Sequence, residues 1–327
     1  MSPLSFAVSG GVTLLGVLLM SKGADWLTDS LVPLARRMGV SRVAVGVILV
    51  SAAVSLPELL VAASTAFRGF PAISMGVVLG SIICNIGLMT GLCAMIRSLR
   101  VSSDLILRDG IFSVVVPILV FAVGADGSIS RLEGLALVLL FLPYMVNVFL
   151  QERRESAERH HEEVEEIVLG LEFTGIDIGK LRPGWLSFSL GILFLLLGAH
   201  LFGGQLIIIA RHAGISEVII GVTLGALGPS LPNILAAYKA TRRGMGEIAV
   251  SETLGSNVFT LLVTLGLSAM ISPVTLDLQW LQVGLPALLI MSFLLFGFLI
   301  TGRAISRLEG AVLFCGYLMA VVLQVMW

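Results

Sequence analysis

One carboxylate stands out because of its surroundings. Glu58 closes the stretch Ser51-Ala52-Ala53-Val54-Ser55-Leu56-Pro57-Glu58, inside an apolar run long enough to cross a bilayer. A charged side chain at the bilayer centre costs at least about 2.5–3.5 kcal/mol on insertion scales, so it needs a partner or a task. Ser55 lies three residues earlier and shares its helix face. A second stretch repeats the pattern: Ala226-Leu227-Gly228-Pro229-Ser230-Leu231-Pro232-Asn233. Proline lacks an N–H and clashes with the carbonyl four residues before it. Pro57 therefore frees the carbonyl of Ala53, Pro232 that of Gly228 and Pro229 that of Gly225. A freed carbonyl inside a membrane must be satisfied, by a bound cation or by a serine or water at a packing kink. Two kinks at matching positions beside polar side chains favour the cation. Carboxylate, hydroxyl and carbonyl oxygens suit hard ions such as Na⁺ or Ca²⁺.

Two further stretches supply facing walls, Gly80-Ser81-Ile82-Ile83-Cys84-Asn85 and Gly255-Ser256-Asn257-Val258-Phe259-Thr260. Ser81 and Asn85 are four apart, as are Ser256 and Thr260, so each pair shares one helix face. The glycines allow close helix approach. The plainer alternative is that these groups only bond helix to helix. Glu252 lies four residues before Ser256 on the same face, about one turn away. It reads either as a relocated second carboxylate, or as a group that lines the access path or pairs with Arg242 or Arg243.

Such residues must be positioned by membrane helices. The chain has 327 residues, 57% of them hydrophobic and 13% charged. Soluble domains are about 45–50% apolar and about 25% charged, so a soluble or disordered chain is excluded. The net charge of -1 gives no basic field to hold nucleic acid. Ten apolar runs approach the roughly 20 residues that a span needs: about 4–35, 41–66, 71–96, 108–126, 132–151, 185–211, 216–240, 246–271, 279–301 and 306–326. The first is too long and glycine-rich for a cleavable signal peptide. Cys84, Cys93 and Cys315 lie within these runs without metal-ligand spacing and read as small core residues. Of the twenty Lys and Arg residues, sixteen fall on one side of the threaded chain and three (Arg68, Arg131, Arg211) on the other, with Lys22 inside the first run. The positive-inside rule makes the basic side cytoplasmic. Both termini are then outside and the charged 152–184 loop inside. That loop reads as a solvated linker, and its His160 and His161 lack a second ligand pair.

The halves align at a constant offset. Ser55-Leu56-Pro57 matches Ser230-Leu231-Pro232, Arg68-Gly69 matches Arg243-Gly244, and Leu79-Gly80-Ser81 matches Leu254-Gly255-Ser256. Five runs per half is odd, so the second copy enters from the opposite side. The expected fold is an all-α polytopic membrane protein of ten transmembrane helices, arranged as two inverted five-helix repeats at 1–151 and 185–327 joined by the 152–184 linker. Secondary transporters commonly have this plan, with the substrate site near the midplane where the repeats meet.

With those motifs in place, the sequence resembles the calcium/cation antiporter superfamily, most closely the prokaryotic sodium/calcium exchangers. In that family each repeat holds G-T-S-L-P-E followed by G-S-N-I-x-N or G-S-N-I-x-D. The resemblance covers nearly the whole chain. It implies ion ligation by the Glu58 carboxylate, the Asn85 amide, the serines Ser55, Ser81, Ser230 and Ser256, and the backbone carbonyls of Ser51, Val54, Ala226 and Pro229. The chain also departs from the pattern. Asn233 stands where the family's second glutamate is, and Thr260 where an acidic residue closes the last motif. Val54 and Pro229 replace its threonines. The family binds Ca²⁺ between two glutamates, of which one remains at these positions.

The expectation is a secondary active cation antiporter with no cofactor, moving Ca²⁺ or another cation against a Na⁺ or H⁺ gradient by alternating access in the inner membrane. Its partners are inorganic cations and the lipid bilayer, and nucleic acid is not among them. Monovalent cation/proton antiport and a non-transporting cation-binding relative are the alternatives. No residue constellation points to an enzyme.

Overall fold

The computed structural model describes residues 3–37, 50–155 and 181–326, and they are almost entirely helical. In chain order the helices are α1 (Pro3–Arg37), α2 (Val50–Val54), α3 (Leu56–Phe67), α4 (Pro71–Ile96), α5 (Ser103–Asp126), α6 (Arg131–Glu155), α7 (Trp185–Ala213), α8 (Glu217–Arg242), α9 (Gly246–Ile271), α10 (Trp280–Gly302) and α11 (Arg307–Met326). Among the described residues, the eight helices α4 to α11 are long and apolar enough to cross a membrane. The second expected span is represented by α2 and α3. His160 and His161, and most of the expected linker, lie outside the described residues.

Burial ranks these helices. The apolar window of α4 is 89% buried and that of α9 72%, against 22% for α6 and 28% for α11. α4 and α9 therefore form the centre. Leu132, Leu308 and Met319 on α6 and α11 are exposed, as suits a surface facing hydrocarbon. Cys315, expected in the core, lies on this outer face of α11, whereas Cys84 and Cys93 are buried.

Close backbone contact sets how α4 meets α8. A Cβ on Gly76 would stand 2.6 Å from the Cα of Gly221, and one on Gly80 would stand 2.7 Å from the Cβ of Ala226. Only glycine lets the backbones approach this way. α1 and α7 pack along a similar seam, with Gly16 against Gly198 and Gly23 against Gly191. The buried hydroxyls of Ser30 and Ser187 meet there at 2.6 Å. Near the middle of α7, Arg68 donates to the carbonyl and the Nδ1 of His200.

The turns recur between halves. Arg68-Gly69 ends α3 and Arg243-Gly244 ends α8, with the glycines at φ 81° and 94°. Four strand stubs tie the ends of the bundle: β1 (Leu99–Arg100), β2 (Ser128–Ile129), β3 (Val274–Thr275) and β4 (Ala304–Ile305). β1 pairs antiparallel with β4, Leu99 opposite Ile305, and β2 with β3, Ser128 opposite Thr275.

Candidate cation-binding site

The second span is interrupted just before its proline, at Ser55. α2 ends at Val54, Ser55 takes φ -88° and ψ 0°, and α3 restarts at Leu56. Pro57 then sits in the first turn of α3, where a missing N–H costs no helical bond. Glu58 falls in that same first turn. The positive end of a helix dipole favours a carboxylate there.

Glu58 is fully buried. Its Oε1 accepts hydrogen bonds from Ser230 Oγ at 3.2 Å and Asn233 Nδ2 at 3.3 Å. Both donors come from α8, so residues of the two halves meet on one oxygen. Among the described residues, Oε2 has no hydrogen-bond partner. Beside it, Ser55 Oγ donates to Ser256 Oγ at 3.2 Å, and Asn85 Nδ2 donates to Ser256 Oγ at 3.3 Å and to Asn257 Oδ1 at 3.4 Å. The structure thus joins Glu58 with Ser230 and Asn233, and Ser55 with Asn85, Ser256 and Asn257.

Ser81 and Thr260 are buried, with hydroxyls that make no hydrogen bond. They lie one turn from Asn85 and Ser256 on the same faces. Val54, Ala226 and Pro229 are buried in the helix segments that flank the cluster. The Ser51 side chain lies outside the described residues. Asn85 Oδ1 and Asn233 Oδ1 are also without partners. Leaving a buried polar group unsatisfied costs about 1–3 kcal/mol. Apart from the Asn257 amide nitrogen, the unpartnered atoms here are carboxylate, amide and hydroxyl oxygens, the donor set of a hard cation.

Helix irregularities place several of these groups. Cys84–Thr90 and Thr260–Thr264 are π-helical, and so is Gly221–Gly225 just before Ala226. Such widened turns frequently mark functional sites. In the first, Thr90 Oγ1 donates to the carbonyl of Asn85 at 3.0 Å and lies 2.7 Å from Thr253 Oγ1. Thr90, Thr253 and Asn257 were not singled out by the sequence reading, although Asn257 stands within its Gly-Ser-Asn motif.

Asp109 belongs to none of the sequence motifs above. It is buried in a π-helical segment of α5, Ile106–Gly110. Arg108 Nη2 donates to its Oδ2 at 2.9 Å and Tyr144 donates to its Oδ1 at 3.0 Å. The signal was present as an acid beside an arginine where an apolar run begins. Glu252 departs from one expectation: it forms no ion pair with Arg242 or Arg243 among the described residues. Both of its carboxylate oxygens are buried and without a hydrogen-bond partner, and Arg242 stacks on Tyr238 instead.

A family model described as sodium/calcium exchanger protein matches residues 8–150 and 183–326. The chain belongs to the sodium/calcium exchanger family. Its relatives include the inner membrane protein YrbG of Escherichia coli, 30% identical over 81% of this chain and 80% of that protein. The sodium/calcium exchanger MaX1 of Methanosarcina acetivorans is 28% identical over 94% of this chain and 95% of its own length. A solved structure of the sodium-calcium exchanger NCX_Mj superposes with a TM-score of 0.67 at 28% identity, covering 97% of this chain and 98% of that one. These matches make this exchanger-family chain a multi-pass membrane protein.

Proposed function

We propose that this protein is a secondary active cation antiporter that holds its ion at Glu58 and exchanges it against Na⁺ or a proton by alternating access. The observation that carries the reading is the buried Glu58. One of its oxygens is bonded from the opposite half by Ser230 and Asn233, and the other has no partner. The ligand set is Glu58, Ser55, Ser81, Asn85, Ser230, Asn233, Ser256 and Thr260, with backbone carbonyls of Ser51, Val54, Ala226 and Pro229.

The remaining architecture follows the sequence. α1, with α2 and α3 taken as one span, brings the helices to ten, in inverted repeats at 1–151 and 185–327 around the 152–184 linker. The recurring glycine turns and the reciprocal pairing of β1 with β4 and β2 with β3 support that symmetry. Arg97 and Arg100 share one rim with Arg303 beside β1 and β4, and that rim faces the cytoplasm. Both termini then lie outside.

The test is flux. Purified protein in vesicles with an imposed Na⁺ or pH gradient is expected to exchange ⁴⁵Ca²⁺ or ²²Na⁺. Measurable cation binding without any Ca²⁺, Na⁺ or proton flux would identify a cation-binding relative that does not transport.

A further inference from the structure

A cage with one carboxylate has a charge problem. A divalent ion held by Glu58 and neutral oxygens leaves one positive charge in a low-dielectric interior. The effective penalty for an uncompensated buried ion is several kcal/mol. Asn233 and Thr260 are neutral and cannot offset it. A second carboxylate is nevertheless at hand. Both oxygens of Glu252 are buried and unbonded, although the side chain occupies a membrane helix where an idle acid is costly.

Its position connects it to the cage. Glu252 is one turn from Ser256 on the same face of α9, and Ser256 Oγ touches both Ser55 and Asn85. Its neighbour Thr253 lies 2.7 Å from Thr90 and 3.5 Å from the carbonyl of Asn85. This stretch of α9 therefore packs on the π-helical segment that presents Asn85. Glu252 and Glu58 are near enough for their charges to interact. Among the described residues, Glu58 Oε2 and Asn85 Oδ1 are likewise buried and without a hydrogen-bond partner. A small cleft lined by Arg108, Asp109, Phe141, Tyr144, Ser251 and Gly255 borders the same stretch of α9.

From this geometry we infer that Glu252 supplies the second negative charge of the site, making it a two-carboxylate site for a divalent cation. The inference rests on the antiporter reading and adds the valence of the ion. Neutral donors at 233 then do not imply a monovalent exchanger, because the acid is carried by the neighbouring helix.

The experiment compares ⁴⁵Ca²⁺ and ²²Na⁺ exchange in vesicles for the wild type, E252Q, E58Q and the double variant N233E/E252Q. E252Q is expected to lower the Ca²⁺-to-Na⁺ transport ratio by about tenfold or more, the scale set by one lost charge nearby. E58Q is expected to abolish both fluxes. The double variant, which moves the acid to α8, is expected to regain Ca²⁺ transport. A wild type that exchanges Na⁺ but not Ca²⁺, or an E252Q ratio equal to wild type, overturns the inference and leaves the antiporter reading standing. Equal loss of both ions in E252Q without recovery in the double variant also overturns it, by assigning Glu252 a purely structural place. Wild-type flux in E58Q sinks the antiporter reading itself.

Discussion

The stretch around Ser55 and the stretch around Ser230 hold matching places in the two halves, yet they are built differently. The first is interrupted, with α2 ending at Val54 and α3 restarting at Leu56. The second runs unbroken from Ala226 to Arg242 through Pro229 and Pro232, after a π-helical turn at Gly221–Gly225. The first presents a carboxylate at a helix start, the second an amide and a hydroxyl in mid-helix. The difference is complementary. An anion buried in a membrane needs donors, and Asn233 and Ser230 provide them. A glutamate at 233 could not donate when ionised. The repeat thus keeps its positions while dividing the labour between acceptor and donor.

Several substitutions would break or sharpen that contrast. The largest effect belongs to E58Q, which removes the acceptor side. It is expected to lower exchange at least about a hundredfold, some 2.7 kcal/mol, measured as cation flux in vesicles. Next is N233E, which makes the two copies alike in charge. Ca²⁺ should bind about tenfold tighter, and by isothermal titration an unchanged or weaker affinity would count against the matched geometry. The two prolines separate the backbone halves of the comparison. P57A removes the residue that suits the start of α3 and is expected to reduce flux about tenfold, because the helix can close through Ser55 and turn Glu58 away. P232A lies in a helix that is already continuous and should change flux only about twofold. Equal effects from the two would show that the break at Ser55 does not position the acid. The smallest effect is expected from S81A, which deletes one neutral oxygen. Cation affinity should fall about threefold, within the usual value of a single neutral hydrogen-bonding group.

The sequence made the site legible through repetition. An offset shared by Ser55-Leu56-Pro57 and Ser230-Leu231-Pro232 announces that two copies meet. Intramembrane polar residues at helical spacing say which faces meet. Apolar run length located the helices from α4 to α11 to within a few residues. What stayed hidden depends on packing rather than on local pattern. π-helical turns leave no spacing signature, so the contact of Thr90 with Thr253 could not be read. The break at Ser55 was legible only as a carbonyl freed at Ala53, because a proline tolerated in a first helical turn and one that bends a helix share the same letters. Whether Glu252 reaches Arg242 depends on rotation about α9, which no local pattern records. Cys315 was taken for core because hydropathy cannot distinguish a protein interior from lipid.

The strand stubs have a mechanical consequence. Backbone hydrogen bonds rivet β1 to β4 on one rim and β2 to β3 on the other, so four points of the frame are stitched across the halves. Blocks fastened this way cannot shear past one another without tearing those stitches. Among the described residues, α1 and α7 carry no such backbone pairing and meet along a glycine seam in which Gly16 packs on Phe202, Gly23 on Leu195 and Gly198 on Met20. That seam is held by side-chain packing and the Ser30–Ser187 hydrogen bond, fastenings that give more easily than a backbone ladder, so any sliding between the halves is expected there first.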